Sequence, residues 1–189
     1  MIYDQVFDLL VSKPQVASAA AAVGSAAVAI MALIFSIISL VAQRKHNRLS
    51  VRPLAYVPLG DYESRVFVRV TNNGTGPMII KSIRIINAPN PSGPLIDAMP
   101  KLQSGVLWTM YSTDVEDRSL RPGGEIVLLE LSSKSSNSED QFVLSRNKVR
   151  RALGELAVHV EYTDIYGNTL PVYSRSLKLF HRAKGDDLS

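Results

Sequence analysis

Three histidines, His46, His159 and His181, are the side chains best suited to hold a metal or move a proton near neutral pH, and they lie far apart in the sequence. No His-Glu-x-x-His spacing occurs, and His159 alternates with Val158 and Val160, so it points away from the face those two share. The carboxylates come closer together. Glu161 and Asp164 approach each other near a turn, and Asp114, Glu116 and Asp117 share a loop. Either group could form a weak cation site or an acid/base pair, although solvated loop charge is the plainer reading. Nucleophile patterns are missing: no G-x-S-x-G elbow is present, and the chain has no cysteine, which removes thiolate chemistry, disulfides and cysteine-bound zinc. Asn72-Asn73-Gly74-Thr75-Gly76-Pro77 bears glycines but lacks the Lys-Ser/Thr of a phosphate loop. Trp108, Tyr111 and Tyr166 could stack a ligand, with packing as the default. The residues therefore predict no catalytic site, no metal site and no cofactor.

The element that positions everything else is apolar. Val16 to Ala42 is a run of 27 residues without an ionisable side chain. About 18 such residues suffice to cross a bilayer as a helix. Ser12-Lys13-Pro14-Gln15 fits a capping box with Pro14 in the first turn. Gln43, Arg44, Lys45, His46, Asn47 and Arg48 follow the run, and Arg52-Pro53 ends any helix. Residues 1–15 carry one base, Lys13, whereas Arg44, Lys45, Arg48 and Arg52 follow the run. Basic flanks stay in the cytoplasm, so the expected topology is a single-pass signal-anchor in the cell inner membrane, N-terminus outside and C-terminal domain cytoplasmic. A cleaved signal peptide fits poorly, because its charge precedes a shorter apolar core. Arg44, Lys45, Arg48 and Arg52 are the expected contacts with the membrane surface. Ala20, Gly24 and Ala27 form a small-residue surface on which a second helix could pack.

Charge distribution argues against nucleic acid. Of the net +4, residues 1–52 hold +3, from five Lys/Arg and two Asp, so the remainder is nearly balanced. That remainder reads as strands with period two. Val66, Val68 and Val70 share one face, with Arg65 and Arg69 opposite. Ile79, Ile83 and Ile85 share another, interrupted by Lys81. Leu156, Val158, Val160 and Tyr162 alternate against Ala157, His159 and Glu161. Shorter runs at 54–59, 106–111 and 126–131, and a Val/Tyr/Leu-rich stretch at 170–180, complete the set. Asn72–Pro77 is expected to be a hairpin whose two glycines permit positive φ, and Asp164–Asn168 a second one. Arg121-Pro122-Gly123-Gly124 enters another strand. The four prolines of residues 87–101 make an irregular loop, and residues 132–138 are polar and mobile. Residues 139–153 form a basic helix with Phe142, Ser145, Val149, Ala152 and Leu153 on one stripe. It either rests on anionic lipid or caps the fold, capping being the plainer reading.

The expected fold is mainly β: a transmembrane helix followed by an immunoglobulin-like β-sandwich with one short helix, a barrel being the alternative. The expected organisation is a short tail at 1–13, the membrane helix and basic stop at 14–48, the sandwich at 52–182 and a disordered tail at 183–189. The helix, the basic stop, Arg52-Pro53, Asn72…Gly74…Gly76-Pro77 and Tyr162…Asp164…Gly167-Asn168 together resemble small, uncharacterised prokaryotic membrane-anchored β-sandwich proteins. The resemblance implies a bacterial single-pass protein and no defined activity.

Three functions compete. The first is a membrane-anchored, non-enzymatic recognition or adaptor module whose cytoplasmic sandwich binds a protein partner or its own copy. The second is an effector that oligomerises through its membrane helix when the soluble domain senses a signal. The third is a small-ligand or carbohydrate-binding domain, or a weak hydrolase, using loop carboxylates such as Asp114, Glu116 and Asp164.

Overall fold

The computed structural model of the chain describes residues 14–182. The expected tails 1–13 and 183–189, and with them Ser12 and Lys13 of the capping box, lie outside the described residues. The chain divides into two compact units at Leu49/Ser50.

The first unit is the helix α1, Pro14–Ser50. Its 37 residues correspond to about 55 Å at 1.5 Å per residue, longer than the roughly 40–45 Å of a whole bilayer. It is long and apolar enough to cross a membrane, and none of its residues from Gln15 to Ser50 is buried by protein. Two serines in its apolar run are bonded within the helix: Ser25 Oγ donates to the Ala21 carbonyl and Ser36 Oγ to the Ala32 carbonyl, both at 2.8 Å. This removes the cost of a bare hydroxyl in hydrocarbon. The helix continues through Arg44, Lys45 and Arg48 instead of breaking at them, and stops just before Arg52-Pro53, as Pro53 requires.

The second unit is two antiparallel sheets and one short helix. Sheet I contains β1 (Ala55–Tyr56) and β2 (Leu59–Tyr62), both on the same edge of β3 (Arg65–Asn72), then β7 (Glu125–Ser132) and β5 (Met110–Tyr111). Sheet II runs β6 (Ser119–Leu120), β4 (Met78–Ile86), β8 (Ala157–Thr163), β9 (Tyr173–Ser176). One apolar core lies between them, with Val66, Val68 and Val70 of β3 meeting Val158 and Val160 of β8 in the same cluster. The edge formed by β1 and β2 is broken at Val57-Pro58, where the Pro58 carbonyl accepts from the Arg69 amide at 3.2 Å. Tyr56 and Tyr173 meet edge to face at 6.3 Å between ring centroids, which brings β1 against β9.

The alternation read from sequence holds for β3 and β8 and needs correction for β4. A bulge lies between Ile80, which faces Tyr162, and Ser82, which faces Glu161, so Lys81 has no cross-strand partner. The extra residue switches the side-chain parity. Met78 and Ile80 therefore join Ile83 and Ile85 in the core, while Ile79 lies on the outer face. A matching shift in β7 skips Leu128 opposite Val68/Arg69, so Leu128 and Leu129 are both buried.

A second correction concerns Asn72–Pro77. It is a crossover between the sheets, not a hairpin, because β3 and β4 pair with different neighbours. Neither Gly74 nor Gly76 has positive φ. They are needed for close approach: a Cβ on Gly74 would overlap the Arg52 carbonyl and the Leu54 amide, and one on Gly76 would overlap the Val51 carbonyl. The loop wraps the segment by which the chain enters the domain. The Thr75 amide donates to Arg52 O at 3.1 Å, and Thr75 Oγ1 donates to Ser50 O. At the centre is Asn72, 0% exposed. Its Nδ2 donates to Gly76 O at 2.7 Å and Leu120 O at 3.0 Å, and its Oδ1 accepts from the amides of Leu54 at 3.2 Å and Gly74 at 3.0 Å. We call this the proximal end of the sandwich.

Asp164–Asn168 is a hairpin, as expected. Asp164 Oδ1 accepts from the amides of Tyr166 and Asn168, Oδ2 accepts from Asn168 Nδ2, and Gly167 supplies φ +78°. Arg121–Gly124 closes with Gly124 N–H on Arg121 O and Gly123 at φ +71°, which suits Pro122-Gly123 at the two central positions. The polar stretch 132–138 is a hydrogen-bonded 3₁₀ turn, Ser133–Ser135, tied by Ser133 N–H to Ser64 O at 2.9 Å. The proline-rich loop after β4 is anchored by the buried Leu95.

The helix α2, Glu139–Gly154, buries Phe142, Ser145, Val149 and Leu153. Arg146 donates to Glu63 O at 2.6 Å and Arg150 to Asp61 at 2.8 Å. Glu63 lies in the β2–β3 turn and Asp61 just before it near the end of β2, so α2 caps the end of the sandwich opposite Asn72.

Asn72→Ala leaves two buried carbonyls and two part-buried amides without their side-chain partner and costs about 3 kcal/mol or more, comparable to the about 2–5 kcal/mol of Leu131→Ala in the core, while Leu107→Ala on an exposed side chain stays within about 0.5 kcal/mol. Denaturant unfolding of the detergent-solubilised chain measures all three. Gly76→Ala lowers the Tm through its overlap with backbone; Gly24→Ala, whose Cβ meets nothing within 4 Å, does not.

Candidate functional site

The outer face of sheet I carries a charged layer that follows directly from the register. Arg65, Phe67 and Arg69 project from β3 on the side away from the core, opposite Glu125 and Glu130 of β7. The Arg69 guanidinium donates to Glu125 at 2.9 Å and to Glu130 at 2.9 Å, and lies 4.4 Å from the Phe67 ring centroid. Arg65 stands 4.9 Å from the same ring and 3.9 Å from Glu130. Burial lowers the proton affinity of Arg69, but hydrogen bonds and charge from Glu130 and Glu125 outweigh it, so its pKa stands above the usual arginine value. The cation is therefore fixed. Because the carboxylates are already engaged, this layer rigidifies the sheet and offers little to a ligand.

A cleft on the second unit does offer something. Ser92–Leu95, from the proline-rich loop, faces Ser112–Glu116, from the loop after β5, across a cavity of about 280 Å³. Its floor is Ile83, Ile85 and Leu128, and its rim carries Ser92, Ser112, Thr113, Asp114 and Glu116. An apolar floor beneath hydroxyls and carboxylates can hold a small amphipathic group and offset a positive charge.

The residues singled out by sequence fall as follows. Asp114 and Glu116 come together at this cleft, whereas Asp117, at φ +54°, turns to Lys81 at 2.7 Å. Glu161 and Asp164 do not form a pair: Glu161 faces Ser82 on the outside of sheet II, and the Asp164 carboxylate is used inside its hairpin. His46 is on α1, His159 faces Arg84 and Ser174, and His181 lies 3.2 Å from Glu155. Among the described residues no group of three or more His, Cys, Asp or Glu could hold a metal. Trp108 is partly buried against the core, Tyr111 is exposed on β5 and Tyr166 sits in the hairpin. Arg44, Lys45 and Arg48 are exposed near the C-terminus of α1, and Arg52 is exposed just beyond it. Ala20, Gly24 and Ala27 are exposed on α1, and a shallow groove on that helix is lined by Ala21, Gly24, Ser25, Val28, Ala29 and Ala32. Sequence reasoning placed Arg65 and Arg69 on one face but missed Glu125 and Glu130 as their partners, since cross-strand register is not written in local pattern.

No protein-family model matches the chain, and neither a curated protein nor a solved structure matches it significantly. The reading of its function rests on its own geometry.

Glu130→Ala leaves Arg69 half-paired on a largely covered face and costs about 1–3 kcal/mol. Lys81→Ala, which breaks an exposed pair, stays within about 1 kcal/mol. Thermal unfolding of the two variants side by side checks the contrast.

Proposed function

We propose that this chain is a membrane-anchored, non-enzymatic recognition module that holds a protein partner, or a second copy of itself, at the inner membrane. The observation that carries the anchor is α1: a long apolar helix with no residue from Gln15 to Ser50 buried by protein is suited to a lipid surrounding, and Ser25 and Ser36 in its apolar run are internally bonded. Four bases at and after its C-terminal end favour a cytoplasmic domain. The strand order of the domain supports an immunoglobulin-like sandwich. β1/β2–β3–β7 against β4–β8–β9 corresponds to strands A-B-E against C-F-G, with β5 beside E and β6 beside C. Such a frame presents loops at both ends as recognition surfaces, and tethering raises the effective concentration of whatever the loops bind.

Protease accessibility tests the topology. The C-terminal domain should be protected in intact cells and digested in inverted vesicles; digestion from outside the cell overturns the cytoplasmic assignment. Co-purification from detergent extract should then yield a partner or a homo-oligomer.

A second reading, an effector assembling through α1, is favoured by the groove from Ala21 to Ala32, where a facing helix could approach closely. Gly24→Ile fills that groove and should abolish crosslinked oligomers; unchanged crosslinking excludes this helix face. The small-ligand reading is favoured by the cleft above Ile83 and Leu128, and a thermal-shift screen in which no ligand class moves the Tm rules it out.

A further inference from the structure

Three loops meet at the proximal end of the sandwich. Thr163, the last residue before the Asp164 hairpin, faces Ile79, and Leu120, just before the Arg121 turn, faces Met78. The Asn72 amide donates to Gly124 O, and Asn72 Oδ1 holds the Leu54 amide. Four large apolar side chains at this end remain exposed: Leu54 (54%), Ile165 (49%), Tyr166 (50%) and Val172 (50%). They share a flank. Leu54 and Val172 precede Tyr56 and Tyr173, whose rings touch, and Val172 follows the hairpin that carries Ile165 and Tyr166. The Asp164 carboxylate staples that hairpin into one shape, so presenting Ile165 to a partner requires little further ordering.

The same end exposes two arginines, and Glu125 at the start of β7 is held by Arg69 at 2.9 Å. Arg52 and Arg121 are exposed, whereas the one acid of the hairpin, Asp164, is 8% exposed and spends its charge on Tyr166 and Asn168. Apolar and aromatic tips among arginines are the composition of a surface that lies in the headgroup layer of a bilayer.

Chain length says what covers it. Ser50, the first residue of the domain, follows Ala42, the last of the apolar run, by the helical segment 43–49. Seven helical residues span about 10 Å, and the headgroup layer of one leaflet is about 5–8 Å thick. With the apolar run in hydrocarbon, connectivity alone keeps Ser50, which the proximal loop holds through Thr75 Oγ1, within about 10 Å of the hydrocarbon boundary.

We propose that the proximal end of the sandwich is a phospholipid-binding face, with Ile165 and Tyr166 at headgroup depth and Arg52 and Arg121 against lipid phosphates. The proposal rests on α1 crossing the bilayer and is independent of which leaflet the domain faces. The opposite end supplies an internal contrast: Leu144 of α2 is 55% exposed but is carried at the end capped by α2.

The absence of cysteine makes the test direct. Full-length Ile165→Cys, Val172→Cys, Leu144→Cys and Phe35→Cys chains are labelled with a polarity-sensitive fluorophore. They are reconstituted in vesicles of phosphatidylcholine, with and without phosphatidylglycerol, that carry nitroxide lipids. Labels at residues 165 and 172 should be quenched by headgroup nitroxides several-fold more than the label at 144, and more with phosphatidylglycerol present. Adding Arg52→Gln and Arg121→Gln should weaken the phosphatidylglycerol-dependent part by about fivefold per arginine. A label at 35 quenched by acyl-chain nitroxides, with residues 165 and 172 no more quenched than 144, overturns the lipid face and leaves the anchor standing. An unquenched label at 35 overturns the anchor itself.

Discussion

The domain depends on one buried side chain. Asn72 ends β3 and satisfies two carbonyls and two amides from three separate segments: the incoming chain at Leu54, its own loop at Gly74 and Gly76, and β6 at Leu120. Its backbone does the same for the β6–β7 turn, accepting from Gly123 and donating to Gly124 O. A buried polar group with every partner supplied is both stabilising and specifying, because no other register pairs the same four groups. The crossover between the sheets, the path of residues 50–54 and the entrance to β7 all take their position from it. The glycines around it serve the same end, leaving room for backbone to lie against backbone.

The two sheets share a device for adjusting what they bury. Each central pair, β3–β7 and β4–β8, carries one extra residue, at Leu128 and at Lys81. In β7 the surplus residue adds a second consecutive leucine to the core. In β4 it lifts a lysine to the surface, where it reaches Asp117, and lets Met78 and Ile80 before the bulge and Ile83 and Ile85 after it, of different parity, face the same interior. These irregularities shape the core as much as the regular alternation does.

Much of this was legible in the sequence, for identifiable reasons. The α1 run is long and uninterrupted, so length and apolarity sufficed. Val66–Val70 and Leu156–Tyr162 alternate without a break, and the stripe of α2 from Phe142 to Leu153 has helical spacing; all three report burial directly. The failures share a cause. Asn72–Pro77 has the composition of a hairpin turn, yet its glycines answer to residues 51–54, some twenty positions away, and no local pattern carries that contact. Lys81 looked like an interruption of a face because a bulge changes parity without leaving a residue signature. The cleft was half visible: Asp114 and Glu116 stood out as acids, but their floor of Ile83, Ile85 and Leu128 comes from two strands of different sheets.

The break of the outer edge at Pro58 has a consequence for life on a surface. A chain carrying a helix like α1 is confined to two dimensions wherever that helix is inserted, and neighbours meet far more often than they would in free solution. An unbroken run of open amides along β1 and β2 would invite one copy after another to add on, strand to strand, into a growing ribbon. With a proline in the middle of that rim, no donor at its nitrogen, and Tyr56 packed edge to face on Tyr173, the rim offers a neighbour only short, interrupted stretches of open backbone.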